Sequence, residues 1–244
     1  MYRSGRYAGR ATQSGSAPSA RRTGEVPVTT TDFLMRNWPE LMHLAWQHTV
    51  FVGIALAIAI VTGVPLGIYL TFNRRLADTV LYLAGIMMTV PSVALFGLMI
   101  PFLSVFGHGI GTVPAVIALV LYSQLPILRS TYAAIRSVDP AIIEAGLGIG
   151  MTRAQVLLKV QVPMSLGVIF SGVRVAVVMS IGIGAIAAYI GAGGLGQFIF
   201  NGITQTYDAM INAGALAVSA MAILADVLFG RLEKGLVSKG LRRD

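Results

Sequence analysis

Residues Thr49–Phe72 read TVFVGIALAIAIVTGVPLGIYLTF, a run with no Asp, Glu, Lys, Arg or His. A water-soluble helix needs a polar face, and this stretch has none to offer. A bilayer needs the opposite. Its hydrocarbon core takes about 20 apolar residues in a helix, because every backbone N–H and C=O must find its partner within the segment.

Working outward, four further stretches satisfy the same condition: Thr79–Phe106, Val113–Leu128, Val168–Ile190 and Ala209–Phe229. The whole chain agrees with them. Of its 244 residues 55% are hydrophobic and only 11% charged, and the mean hydropathy is +0.76. Ordinary soluble domains carry roughly a quarter charged residues. The fold class is therefore all-α, a polytopic membrane protein with five transmembrane helices. The second stretch holds Pro91 and Pro101, which predict a kink or break near Pro91 and leave open two short elements in its place. Gly63 and Gly67 in the first form a GxxxG pair, the spacing that lets helices pack closely.

Charge sets the orientation. Arg74 and Arg75 lie between spans one and two. Arg129, Arg136, Arg153 and Lys159 lie between three and four. Arg231, Lys234, Lys239, Arg242 and Arg243 follow span five. The other two connections, 107–112 and 191–208, hold no Lys or Arg. All three basic segments thus fall on one side, which the charge rule makes cytoplasmic. An odd span count then puts an arginine-rich N-terminus outside, against the same rule, although long tails follow it poorly. The formal charge of +8 belongs to these loops and to a membrane lipid surface, not to nucleic acid, since no aromatic-basic stripe accompanies it.

Four regions follow. Residues 1–28, rich in Arg, Ser and Gly, read as a disordered tail. Residues 29–48 read as an amphipathic interfacial segment anchored by Trp38 and Trp46. Residues 49–229 form the transmembrane domain, and residues 230–244 a basic cytoplasmic C-terminus. The absence of cysteine excludes disulfides and thiolate chemistry. His43, His48 and His108 lack metal-ligand spacing, so neither metal nor cofactor is called for.

Between spans three and four runs the longest polar interruption after the tail. Asp139-Pro140 is a helix start, Asp as N-cap and Pro in the first turn. A helix Pro140–Leu147 stopped by Gly148 and Gly150 follows. Thr152 and Gln155 make a capping box that opens a second helix ending before Pro163. The result is a helical hairpin, 139–163, at the cytoplasmic face.

Glu144-Ala145-Gly146, then Gly150, then Val160-Gln161-Val162-Pro163 resemble the EAA loop of binding-protein-dependent ABC-importer permeases. Gly146 stands there for a second Ala, and Val160 and Val162 for Ile and Leu. Two flanking stretches, YSQLPILRSTY at 122–132 and AAYIGAGGLG at 187–196, are similar to the glycine betaine/carnitine/choline permease subunits. The resemblance covers roughly Trp46 to Ala225. It implies a type I importer permease of the prokaryotic inner membrane, with the hairpin coupling to separate ABC ATPase subunits. It further implies a second permease copy, identical or homologous, and an external substrate-binding protein. The cargo it points to is a quaternary-ammonium osmoprotectant. A methionine or phosphonate importer shares the glycine-rich segment, and an ion-coupled secondary carrier is a rival of another class.

Gly191, Gly193, Gly194 and Gly196 match a dinucleotide fingerprint, but that motif needs a preceding strand. They are better read as tight backbone packing, and the resemblance places them near the translocation gate. No GxxxxGK[ST] phosphate loop is present, so ATP hydrolysis is assigned elsewhere and the chain is not itself an enzyme. Arg174 lies inside span four and Asp226 near the inner end of span five. Both read as intramembrane charges that snorkel to the interface or serve a function.

Overall fold

The computed structural model describes residues 29–236. The tail 1–28 and the last residues, 237–244, lie outside the described residues, and with them Lys239, Arg242 and Arg243.

A short helix, α1 (Thr30–Arg36), opens the described chain behind a capping box in which Thr29 and Asp32 exchange side-chain and backbone bonds. That hydrogen bonding holds the Asp32 carboxyl below its ordinary 3.8. Helix α2 (Trp38–Leu70) is the first span, begun by Pro39 in its first turn. The second apolar stretch forms two helices: α3 (Arg74–Thr89) and α4 (Ser92–Ser104) meet at 99° across Val90-Pro91. Pro91 cannot donate a helix hydrogen bond, and it disfavours helical backbone at Val90. The Val90 carbonyl is taken up instead by the Tyr122 hydroxyl. The sequence-based break at Pro91 is found there.

Helix α5 (Thr112–Arg136) is the third span. The hairpin helices α6 (Pro140–Gly148) and α7 (Arg153–Val156) follow, then a π-turn (Leu157–Gln161) and α8 (Val162–Ala187). A 3₁₀ turn (Ala188–Ile190), a short helix α9 (Gly196–Gln205) and the last span α10 (Asp208–Leu236) complete the chain. Four helices are each long and apolar enough to cross a membrane, and the count reaches five when the bent pair is taken as one span.

Two helix boundaries differ from the sequence reading. The helix that carries span one begins at Trp38, so residues 38–48 are its first three turns. The helix that carries span four does not begin at Val168. One continuous helical path runs from Arg153 to Ile190, and the hairpin's second helix passes through Pro163 instead of ending before it. The π-turn explains this. Proline clashes with the carbonyl four residues back, and widening the preceding turn relieves it. Val162 N–H reaches the Leu157 carbonyl, five residues back.

Lipid removes the usual hydrophobic drive between spans, so close packing and buried hydrogen bonds hold them. The GxxxG pair does this on α2. A Cβ at Gly63 would lie 2.9 Å from Gln124 Oε1, and one at Gly67 2.7 Å from Thr131 Cβ, so α2 and α5 touch backbone to side chain. Gln124 donates across the same seam to Thr62 Oγ1 at 2.9 Å. Between α5 and α8, the buried hydroxyls of Ser123 and Ser180 pair at 2.9 Å. Phe51, Ala55, Leu119, Ile127, Ala176 and Val177 fill the centre.

Candidate functional site

These contacts define two ends of the bundle. At one, Gly67 meets Thr131 and the hairpin leaves α5; Arg74, Arg75, Arg129, Arg136, Arg153 and Lys159 gather there. At the other, Gly111 N–H donates to the Ile190 carbonyl at 2.9 Å, tying the start of α5 to the end of α8.

At the basic end Asp139 Oδ1 accepts from Ala141 N–H at 2.8 Å and launches α6. Gly150, at φ +88°, reverses the chain after it. The Gly150 and Met151 N–H groups donate to the Leu147 and Gly146 carbonyls at 3.0 and 3.1 Å. The Thr152–Gln155 capping box is complete, with Thr152 N–H on Gln155 Oε1 at 2.8 Å and Gln155 N–H on Thr152 Oγ1 at 3.3 Å. Gly146 brings the two arms together: a Cβ there would sit 3.1 Å from Val156 Cγ2. An alanine fits that contact with a slight give, a larger side chain would not.

Glu144, Ala145, Gly150 and Pro163 are exposed, Val160 and Val162 are half-buried, and Gly146 is buried. Gln161 Nε2 donates to the Ile135 carbonyl at 3.4 Å and pins the π-turn to the end of α5. The sequence reading missed the hairpin's apolar crown. Ile149 is 81% exposed and Leu158 62%, with Ile142 and Leu147 also outward. Apolar side chains on a polar loop outside the spans form the kind of surface another protein covers. Their signal was present in ordinary Leu and Ile, which a search for polar contacts passes over.

At the opposite end Gly191, Gly193 and Gly194 take φ values of +79°, +81° and +80°. A Cβ on Gly193 would meet Gln47 Oε1 at 2.6 Å, and one on Gly194 His48 Nδ1 at 2.9 Å. Gly194 N–H donates to Gln47 Oε1 at 3.3 Å. Gly196 faces the Ala185 carbonyl with no room for a side chain. The loop is thus pressed onto the first turns of α2, beside a cavity of about 430 Å³ lined by Trp46, Gln47, Phe51, Thr112 and Gln197. His48 is fully buried, bonded through Nε2 to the Ile181 carbonyl. Among the described residues no strand precedes these glycines, so the dinucleotide geometry is absent.

Arg174 is held by two carboxylates on α10. Its Nε and Nη2 grip Asp226 at 2.6 and 2.7 Å, and Nη1 reaches Glu233 at 3.4 Å. Gly230 leaves the space, its missing Cβ lying 3.1 Å from the guanidinium carbon. The matched depth of the opposite charges is readable in the sequence; their pairing is not.

Residues 63–238 match the family model described as "Binding-protein-dependent transport system inner membrane component". The osmoprotectant import permease protein OsmW of Salmonella typhimurium is 50% identical over 88% of this chain and 100% of its own. The carnitine transport permease protein OpuCB of Listeria monocytogenes is 40% identical over 86% and 94%. The choline transport system permease protein OpuBB of Bacillus subtilis is 38% identical over 86% and 95%. Among solved structures, a chain of the MetNI methionine ABC transporter in an inward-facing conformation superposes with a TM-score of 0.75. It is 23% identical and covers 83% of this chain and 99% of its own, a likeness of fold. This chain belongs to the family of binding-protein-dependent transport system inner membrane components.

Proposed function

We propose that this chain is the permease subunit of an ATP-driven importer for quaternary-ammonium osmoprotectants such as glycine betaine, carnitine or choline. The observation that carries the cargo is the 50% identity to an osmoprotectant import permease along that relative's entire length. Relatives at 38–40% identity named for carnitine and choline transport support the same chemical class. The likeness to a methionine transporter is one of fold, at 23% identity, and carries no cargo.

In this reading the hairpin Asp139–Pro163 lies in the cytoplasm, together with the C-terminus, and docks in a groove on a separate ABC ATPase. Ile142, Leu147, Ile149 and Leu158 supply the apolar contact, and Glu144 and Arg153 the polar rim. Two permease copies, identical or homologous, enclose the pathway in the inner membrane, and an external binding protein delivers the cargo. The ATPases hydrolyse ATP; this chain does not. ATP-driven closure of the ATPase pair moves the hairpin, and the unbroken helix from Arg153 to Ile190 carries that motion across the membrane. At its far end the helix runs into the Gly191–Gly196 loop against α2, where a gate would open.

The test is uptake of labelled glycine betaine by a host stripped of its own osmoprotectant importers and given this chain with its ATPase and binding protein. Uptake needing ATP and the binding protein, competed by carnitine and choline, is the expected result. A binding protein that ignores all three while taking methionine or a phosphonate would overturn the cargo.

A further inference from the structure

The Arg174–Asp226–Glu233 cluster has a position that its pairing does not explain. Along an ideal helix Arg174 lies about 24 Å from Ile190, and Asp226 about 27 Å from Asp208. Against a hydrocarbon core about 30 Å thick, both sit just inside the boundary at the basic end. They are not sealed off by the chain itself: the side chains are 35% and 42% exposed. Both face a groove of about 370 Å³ between α8 and α10, lined by Ser171, Val175, Val178 and Met179. Val178 and Met179 lie at least a turn beyond Arg174 toward the membrane centre, so the groove climbs inward from the charges. Helix α10 as a whole is also little covered. Only 11% of its apolar window is buried in this chain, against 39–44% for the other single spans.

Ionised groups at such depth face a bundle interior or a water-filled cavity, because lipid cannot solvate them. We infer that the α8–α10 groove is the inner, water-filled part of the translocation pathway, with the Arg174–Asp226–Glu233 cluster at its mouth. This deepens the permease reading and rests on it. One wall of the groove is α8, which is continuous with the hairpin, so a hairpin displacement moves that wall directly. The ion cluster ties α10 to it, and the two walls travel together.

The natural chain has no cysteine, which makes the test clean. Val175→Cys and Val178→Cys are made separately in the assembled transporter, in inverted membrane vesicles. Val61→Cys, an apolar position 72% exposed on α2, is the comparator. Each is treated with a membrane-impermeant charged thiosulfonate and with a lipid-soluble maleimide. The thiolate is the reactive species and forms only where water solvates it, so both groove cysteines should react with the charged reagent at least about tenfold faster than Val61→Cys. Rates no faster than the comparator overturn the inference. So does a disulfide between two copies at position 178 without charged-reagent labelling, which makes the groove a subunit interface. Betaine uptake measured on intact cells expressing the same variants separates the two claims. Uptake without labelling removes the groove and leaves the importer; labelling without uptake of any osmoprotectant removes the cargo and leaves the groove.

Discussion

Gly150 shows how a single backbone angle serves the hairpin. Its φ of +88° puts it where a side chain costs about 1–2 kcal/mol, and nothing lies within 4 Å of an added Cβ. The penalty is therefore conformational and not steric. Gly150→Val should insert and assemble in the membrane yet lose most coupled uptake, while Gly150→Asn, which tolerates left-handed backbone, should keep more of it; side-by-side uptake at matched expression measures this. Gly194 is the harsher case, since strain at φ +80° adds to a contact of 2.9 Å with His48 Nδ1. Gly194→Ala should cost about 1–3 kcal/mol, seen as a lower melting temperature of the purified complex. A melting point equal to wild type would show that the loop yields freely. Much at this scale was legible: the capping residues Asp139 and Thr152 act as their chemistry dictates. The Arg174–Asp226 grip was not, because sequence places each charge at a depth but does not say which faces of the two helices meet.

At the scale of elements, the sequence announced the four single apolar spans and the break at Pro91. It misjudged Pro163. A proline can end a helix, kink it or follow a locally widened turn, and only the neighbouring contacts decide. Here Gln161 is fastened to the Ile135 carbonyl, and the widened turn Leu157–Gln161 lets the helix continue. The short helix α9 was also unread, since its ten residues sit between glycines and a charged N-terminal turn and are too few to span. The π-turn carries a prediction. It adds a residue to the helical register, and one residue rotates everything beyond it by about 100°. Deleting Leu158 should restore ordinary α-helix, leave span four intact and swing the hairpin's face away from its partner. ATP hydrolysis and uptake should then separate, with uptake lost and basal hydrolysis by the ATPase retained. Both activities surviving unchanged would mean that the register of the hairpin is immaterial.

For the whole molecule, the architecture places two specialised ends on one helix. The path Arg153–Ile190 begins in the hairpin, passes the ion cluster and finishes in the glycine loop, so a movement imposed at one end is available at the other. Sequence could show the length and polarity of these parts but not that Pro163 lies inside a single rod. That continuity makes ATP-driven transport through the hairpin the central claim. Its most direct measurement uses proteoliposomes holding the chain with its ATPase, binding protein outside, labelled glycine betaine outside and ATP sealed within. Uptake should require internal ATP, persist when ion gradients are dissipated, and be mostly lost with Gly150→Val. Uptake that continues without ATP and collapses with the ion gradient would contradict it.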